Sequence, residues 1–298
     1  MPETSFKSGF IAIIGAPNVG KSTLLNLLVG EKIAIISPKP QTTRTRILGV
    51  RTTDHYQMVF LDTPGIHQAR GQLNLAMVRT AVATLETVDL ILFLVEAHKP
   101  RDRENNTVLE VLQRVKTPVF LAVNKIDLTG EASLPEIVEN WSSRYPFAQK
   151  ACISALYQSG IQELLDKIAA MLPPGPPYYD EDTLTDIPER AICAEIIREK
   201  IIHLTSEEIP YATAVTISSF KEDPERNLIR IHAEVHVERP SQKGIIIGKK
   251  GSMLRQIGQQ ARLDMEHLLG ARVYLELWVK VRKKWRKDPR ALREFGYM

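Results

Sequence analysis

A doubly wound α/β domain followed by a smaller α+β domain is the fold that this 298-residue sequence predicts, on three observations. Short apolar runs alternate with helical patterns from Phe10 to about Leu172. A proline-rich stretch then stops both patterns. Finally, the charge changes sign: residues 1–189 hold 18 Lys/Arg against 21 Asp/Glu, and residues 190–298 hold 21 against 14. A chain of this length can bury a core in each of two domains.

The runs "FIAIIG", "MVFLDTPG", "LILFLVEA", "VFLAVNK" and "ACISA" are rich in Val, Ile, Leu and Phe and end in Gly, Asp, Asn or Ser. They read as strands of a mostly parallel sheet covered on both faces. Between them, "STLLNLLVG", "NLAMVRTAVATLETV", "NTVLEVLQRV" and "IQELLDKIAAML" repeat apolar residues at helical spacing. Such a fold binds its ligand beyond the carboxyl ends of the strands. "PPGPPYYDEDTLTDIP", residues 173–188, then holds five prolines, which can continue neither a helix nor a central strand. The expected division is therefore a first domain over 1–172, a linker over 173–186 and a second domain over 187–298. In the second, "ERAICAEIIREKIIHLT" is an amphipathic helix, and "YATAVTISSFKED" and "LIRIHAEVHVER" are strands about a turn at "DPERN". "SMLRQIGQQARLDMEHLLG" is a helix, and "VYLELWVKVRKKW" alternates as a final strand.

Composition excludes several classes. With 44% hydrophobic and 25% charged residues the chain is globular. No apolar run approaches the ~20 residues of a membrane span, and "MPETSFKSGF" lacks a signal-peptide core. A cytosolic protein, read as a monomer, is expected. Cys152 and Cys193 fall in different predicted domains and read as buried thiols, not a disulfide. His98, His203 and His267 show no ligand spacing, so no metal is assigned to them.

"GAPNVGKS" fits G-x-x-x-x-G-K-[ST] and lies between a strand and a helix. Gly15 and Gly20 let the backbone of Gly15-Ala16-Pro17-Asn18-Val19-Gly20 curl so that its N–H groups point at phosphate, at the N-terminus of the helix that Lys21, Ser22 and Thr23 begin. Lys21 supplies charge to the β- and γ-phosphates, and the Ser22 hydroxyl is a Mg²⁺ ligand. The base is read at Asn124-Lys125-Ile126-Asp127. A carboxylate only accepts hydrogen bonds, so Asp127 suits the N1–H and N2 amine of guanine, whereas adenine has a bare N1 there. Asn124 can tie this loop to the phosphate loop, and the Lys125 stem can cover the base. Asp62-Thr63-Pro64-Gly65 ends a strand in the manner of a third motif, Asp62 holding Mg²⁺ through water and the Gly65 amide sensing the γ-phosphate. "QTTRTR", residues 41–46, stands where a Mg²⁺-binding switch threonine belongs; Thr43 is the choice and Thr42 its rival. Ser154-Ala155-Leu156 fits a fifth, base-touching motif.

These motifs, the linker and "HVERPSQKGIIIGKKGSMLRQIG" resemble the Era family of bacterial ribosome-assembly GTPases, which carry a C-terminal KH domain. The resemblance covers essentially the whole chain, and "PQTTRTR", "EIPYATAV" and "ERPSQKGIIIGKKG" are its most specific features. It implies a P-loop GTPase domain, a type II KH domain, and GTP, GDP, small-subunit ribosomal RNA and the small ribosomal subunit as partners. Gly248-Lys249-Lys250-Gly251 is then the KH loop, whose backbone clamps about four nucleotides. Ile66 stands where other switch GTPases carry the glutamine that orients water, so slow turnover is expected. The resemblance also associates Asn18 with a potassium ion that supplies positive charge. The basic tail from Arg282 to Arg293 can meet RNA or an anionic membrane surface, while Trp285, Phe295 and Tyr297 are expected to pack on their own domain. The leading reading is a GTP-driven switch that binds RNA. An ATP-driven RNA remodelling enzyme and a non-hydrolysing KH scaffold are its competitors.

Overall fold

A computed structural model describes residues 6–39, 42–66, 71–98 and 102–298. They fold as two compact units, the described parts of Met1–Ala34, Thr43–Arg70 and Met77–Asp186, and those of Ile35–Thr42, Gly71–Ala76 and Ile187–Met298.

From Lys7 to Met171 the elements run β1 (Lys7–Ile14), α1 (Lys21–Val29), β2 (Ile47–Thr52), β3 (Tyr56–Asp62), α2 (Gln72–Leu85), β4 (Leu90–Glu96), α3 (Asp102–Leu112), β5 (Val119–Asn124), α4 (Leu134–Arg144), β6 (Gln149–Cys152) and α5 (Ile161–Met171). The six strands form one sheet in the order β2-β3-β1-β4-β5-β6. All neighbours are parallel except β2 and β3. β4 is buried at every position, as a central strand covered on both faces must be. Within the core Phe93 meets Trp141 edge-on at 5.7 Å, a favoured aromatic geometry.

Between Lys7 and Met171 two elements lie outside the sequence reading: β2, "ILGVRT", and α4, "LPEIVENWSSR". β2 is held close under α1, for a Cβ on Gly49 would stand 2.6 Å from Val29 Cγ2 and 2.8 Å from Leu25 Cδ1. The stretch read as a linker is hydrogen-bonded along the first unit. Gly175 N–H donates to the Phe6 carbonyl at 3.0 Å and Val50 N–H to the Leu184 carbonyl at 2.8 Å. Gln57 Oε1 accepts from the backbone N–H of Tyr178 at 2.6 Å.

The second unit runs α6 (Glu189–Leu204), α7 (Ile209–Ala212), β7 (Ala214–Asp223), β8 (Leu228–Val237), α8 (Pro240–Ile247), α9 (Ser252–Leu269), β9 (Arg272–Val281) and α10 (Pro289–Glu294). Its sheet has the order β7-β8-β9, with β7 antiparallel and β9 parallel to β8. Alternate residues Ile231, Ala233 and Val235 of β8 share a core with Ile257, Ala261 and Met265 of α9 and Ile196 and Ile197 of α6. Period-two and four-residue spacings thus meet on one face of the sheet. Ile35–Thr42 clusters with this unit. Ile36 N–H donates to Glu199 Oε1 at 3.0 Å, and the buried Arg198 guanidinium donates to the Thr42 carbonyl. At the C-terminus Trp285 is fully buried and donates through Nε1 to the Ala212 carbonyl at 2.9 Å. Phe295 and Tyr297 lie 5.3 and 5.9 Å from its ring. The tail aromatics therefore pack on their own unit, as the sequence suggested. Both thiols are free; Cys193 is buried and pushed up to about 12 by desolvation, and Cys152 is half-buried.

Candidate functional site

The phosphate loop joins the carboxyl end of β1 to α1. Gly15 has φ 152° and a Cβ there would stand 2.3 Å from the Leu94 carbonyl oxygen; Gly20 has φ 102° and a Cβ would stand 2.4 Å from Asn124 Nδ2. No side chain fits either place. Asn18 also takes a left-handed φ of 66°. Ala16 and Val19 are buried in this turn, with Pro17 and Asn18 half-buried. The buried Lys21 ammonium donates to the carbonyls of Gly15 at 3.2 Å and Ala16 at 3.0 Å, so its charge sits inside the loop. Ser22 and Thr23 follow in the first turn of α1, half-buried.

Ser22, Thr43 and Asp62 converge from three segments. Ser22 Oγ donates to Asp62 Oδ2 at 2.7 Å and lies 2.9 Å from Thr43 Oγ1. Thr43 Oγ1 is 3.4 Å from the same carboxylate oxygen. Thr42 turns elsewhere, its hydroxyl donating to the Lys39 carbonyl at 2.7 Å. Asp62 is fully buried, and among the described residues its Oδ1 has no hydrogen-bond partner. Burial pushes its pKa up to about 6, against the pull of Lys21 and of hydrogen bonds from Ser22, Thr43 and the Thr63 backbone. A buried carboxylate oxygen left unpaired beside two hydroxyls is the donor set that a hard divalent cation takes, so these residues fit Mg²⁺. Among the described residues no group of three His, Cys, Asp or Glu could hold a metal. Thr63 Oγ1 donates to the Ile13 carbonyl at 3.0 Å and fixes the segment to β1. Pro64 is buried, and Gly65 lies against Pro17, whose nitrogen and Cγ would be 3.1 Å from a Cβ. Ile66 is buried in the core with Val59, Leu61 and Ala81. Pro40 and Gln41 of the switch motif lie outside the described residues.

At the base end, Asn124 is buried and bonded at both ends of its amide. Nδ2 donates to the Val19 carbonyl at 2.8 Å, and Oδ1 accepts from Ala155 N–H at 3.0 Å. It thereby ties the phosphate loop to the 154–156 loop. Lys125, at φ 62°, donates to the Asn18 carbonyl at 2.8 Å. Its ammonium also pairs with Glu96, a buried carboxylate at the end of β4 that the sequence reading missed. An acid closing the apolar run "LILFLVE" was the available signal. Ser154 Oγ donates to Asp127 Oδ1, and Ile126 N–H donates to the Ile153 carbonyl at 3.3 Å. Leu156 is exposed.

In the second unit, Gly248-Lys249-Lys250-Gly251 joins α8 to α9. Gly248 has φ 71°, and a Cβ there would meet Met253 N and Cβ at 2.8 Å; Gly251 has φ 78°. Lys249 and Lys250 are both exposed, at the start of α9.

A phosphate loop, a buried hydroxyl–carboxylate corner and a guanine-type base loop on one sheet, followed in the same chain by a helix–loop–helix module with a G-x-x-G turn, define a P-loop GTPase carrying a KH domain. Two family models match accordingly: the 50S ribosome-binding GTPase over residues 10–125 and the KH domain over residues 208–286. The GTPase Era of Geobacter metallireducens is 52% identical over 297 residues, 100% of each chain. That of Syntrophus aciditrophicus is 54% identical over 292 residues, 98% of this chain and 95% of the other. A solved Aquifex aeolicus Era variant bound to GDP·AlF4⁻ superposes with a TM-score of 0.94 at 42% identity, covering 98% and 99% of the two chains. Era in complex with MgGDPNP and nucleotides 1506–1542 of 16S ribosomal RNA gives 0.94 at 43% identity, with the same coverage. The chain belongs to the Era family of GTPases.

Proposed function

We propose that this GTPase is a slow, Mg²⁺-dependent switch that binds small-subunit ribosomal RNA through its KH domain and assists assembly of the small ribosomal subunit. The observation that carries the nucleotide half is the convergence of Ser22 and Thr43 on Oδ2 of the buried Asp62 carboxylate, whose Oδ1 has no hydrogen-bond partner among the described residues. The solved relative with MgGDPNP and 16S ribosomal RNA supports the pairing of the two ligands. In this reading residues 1–172 are the GTP-binding domain, 173–186 the connection and 187–298 the RNA-binding domain. Gly15 to Thr23 hold the phosphates. Asn124 to Asp127 with Ser154 to Leu156 hold guanine, and Ser22, Thr43 and Asp62 hold Mg²⁺. The bound ion supplies charge neutralisation of the phosphates. Lys21 adds a fixed positive charge, and the Gly65 amide reports the γ-phosphate to its neighbour Ile66. Gly248 to Gly251 meet RNA. The protein acts as a monomer in the cytoplasm, its basic tail touching anionic membrane at most peripherally. Multiple-turnover phosphate release from GTP, undiminished by excess ATP, is expected. ATP competition would favour the remodelling enzyme, and a single turnover the scaffold.

The missing glutamine at Ile66 motivates a second element of the proposal: a potassium ion near Asn18 supplies positive charge during hydrolysis. Turnover is then faster in KCl than in NaCl, and Asn18→Ala removes the difference. Equal rates for the wild-type protein in the two salts would refute this.

A further inference from the structure

We propose that the open face of the second unit's sheet, centred on Tyr274 and Trp278, is a second seat for single-stranded RNA, separate from the G-x-x-G loop. This rests on the RNA-binding reading above. Alternation along β9 sends Val273 and Val279 into the core beneath the helices and turns Tyr274, Glu276, Trp278 and Lys280 the other way. The register sets Arg230 beside Tyr274, His232 beside Glu276, Glu234 beside Trp278, and Lys221 of β7 beside Arg230. The G-x-x-G loop belongs to α8 and α9, whose Ile246, Ile257, Ala261 and Met265 pack on the opposite face.

Tyr274 and Trp278 are 51% and 59% exposed, an unusual position for two large rings in one row of a strand. Their surroundings are polar and cationic. Arg230 lies 5.9 Å from the Tyr274 ring centroid, and Lys221, Arg230, Arg272 and Lys280 are all exposed. The carboxylates beside the two rings are engaged. Glu276 accepts from Trp278 Nε1 at 3.0 Å and lies 3.6 Å from His232 Nε2. Glu234 pairs with Lys280 at 2.6 Å. A docking protein would meet scattered charges instead of the continuous apolar patch that protein contacts use. Isolated aromatic rings flanked by cations are what bases and phosphates of a single strand use, the rings stacking any base and the cations tracking the backbone. Four residues along a strand put the rings about 13 Å apart, a spacing that seats two separate bases. Beyond Trp278 the chain closes the platform itself, since Phe295 lies 4.6 Å from His236. A KH loop clamps about four nucleotides, so a longer strand has chain to spare for this face.

The test uses the full-length protein and a fluorescein-labelled 24-nucleotide single-stranded RNA of alternating A and C. Four forms are compared by anisotropy: wild type, K249D/K250D, Y274A/W278A and the quadruple variant, each first shown to keep its thermal midpoint. Two lost stacking contacts weaken binding at least about tenfold in Y274A/W278A, and the quadruple variant binds more weakly than either parent. Trp141 and Trp285 are buried, 4% and 0% exposed, so Trp278 is the solvent-facing indole. RNA should quench its emission in wild type and in K249D/K250D, and Trp278→Phe should lose the quenching while binding within about threefold of wild type. Wild-type affinity in Y274A/W278A, with K249D/K250D impaired, would overturn the platform and leave the KH reading standing. Impairment in Y274A/W278A alone would support the platform and refute the loop. If Y274A/W278A kept its RNA affinity but failed to cosediment with small ribosomal subunits, the face would be a protein contact and the proposal wrong. No binding by wild type would overturn both readings.

Discussion

Asp62 meets two opposed demands. In its proposed role the carboxylate must be ionised to hold Mg²⁺, yet it is fully buried, and burial raises its pKa from 3.8 to about 6. A raised acid favours the folded state while protonated, so this contribution is present below about pH 4 and lost as pH climbs through 6. In nucleotide-free protein at neutral pH the ionised group costs on the order of 3 kcal/mol. Asp62→Asn should raise the neutral-pH thermal midpoint of nucleotide-free protein and flatten its dependence between pH 4 and 6, while abolishing Mg²⁺-dependent GTP hydrolysis. An unchanged midpoint would show that relaxation around Oδ1 already offsets the burial. Asp127 faces a different choice. Ser154 Oγ is fixed on its Oδ1, and an asparagine there can still accept that bond while presenting an amide donor to the base. Asp127→Asn should therefore exchange GTP for XTP by tenfold or more, because xanthine offers a carbonyl where guanine offers an amine. Competition binding with the two nucleotides checks it, and retained GTP preference would remove Asp127 from the base-reading role. Most of this site was legible because phosphate and guanine recognition need particular residues at short, ordered spacings. Glu96 was not, since its partnership with Lys125 joins two strand ends that only the folded sheet makes neighbours. Nor was the separation of Thr42 from Thr43, whose hydroxyls differ in backbone direction and not in chemistry.

Among the elements, the buried parallel strands were plain because continuous apolar runs have few other fates. β2 escaped because it is a short antiparallel edge strand with a glycine at its centre, and glycine is depleted in strands. That glycine is required by packing. A methyl group at position 49 would press on Leu25 and Val29 of α1, and overpacking of this kind costs about 1–3 kcal/mol. Gly49→Ala should lower the urea midpoint accordingly with an unchanged slope; a neutral result would mean that α1 moves off the sheet at little cost. In α4, Leu134, Ile137, Val138 and Trp141 do follow helical spacing, but only Trp141 is buried, so its apolar stripe is weak against a polar background. β9 presents the converse case. Strict alternation foretold the strand, but the pattern is silent on whether Tyr274 and Trp278 face water or another layer, which is decided by what the rest of the chain leaves uncovered.

Across the whole molecule the charge is divided along the sequence, with a net +7 in residues 190–298 against −3 in residues 1–189. The excess sits where nucleic acid is proposed to bind, so electrostatics should dominate RNA affinity and make it fall with salt, by about 0.7 log units per log unit of salt for each phosphate neutralised on a single strand. The two proposed RNA contacts then separate by their salt dependence as well as by position. Lys249 and Lys250 act as cations, and K249Q/K250Q should reduce the slope by up to about 1.4. Tyr274 and Trp278 act through their ring faces, so Y274A/W278A should lower affinity by a similar factor at every salt concentration and leave the slope unchanged. Measurements between about 50 and 300 mM KCl, the range over which phosphate contacts lose most of their affinity, decide between the two patterns. A slope that fell in Y274A/W278A would mean that the rings matter by holding Arg230 in place, across the 5.9 Å contact with Tyr274, with phosphate as the true ligand of that face.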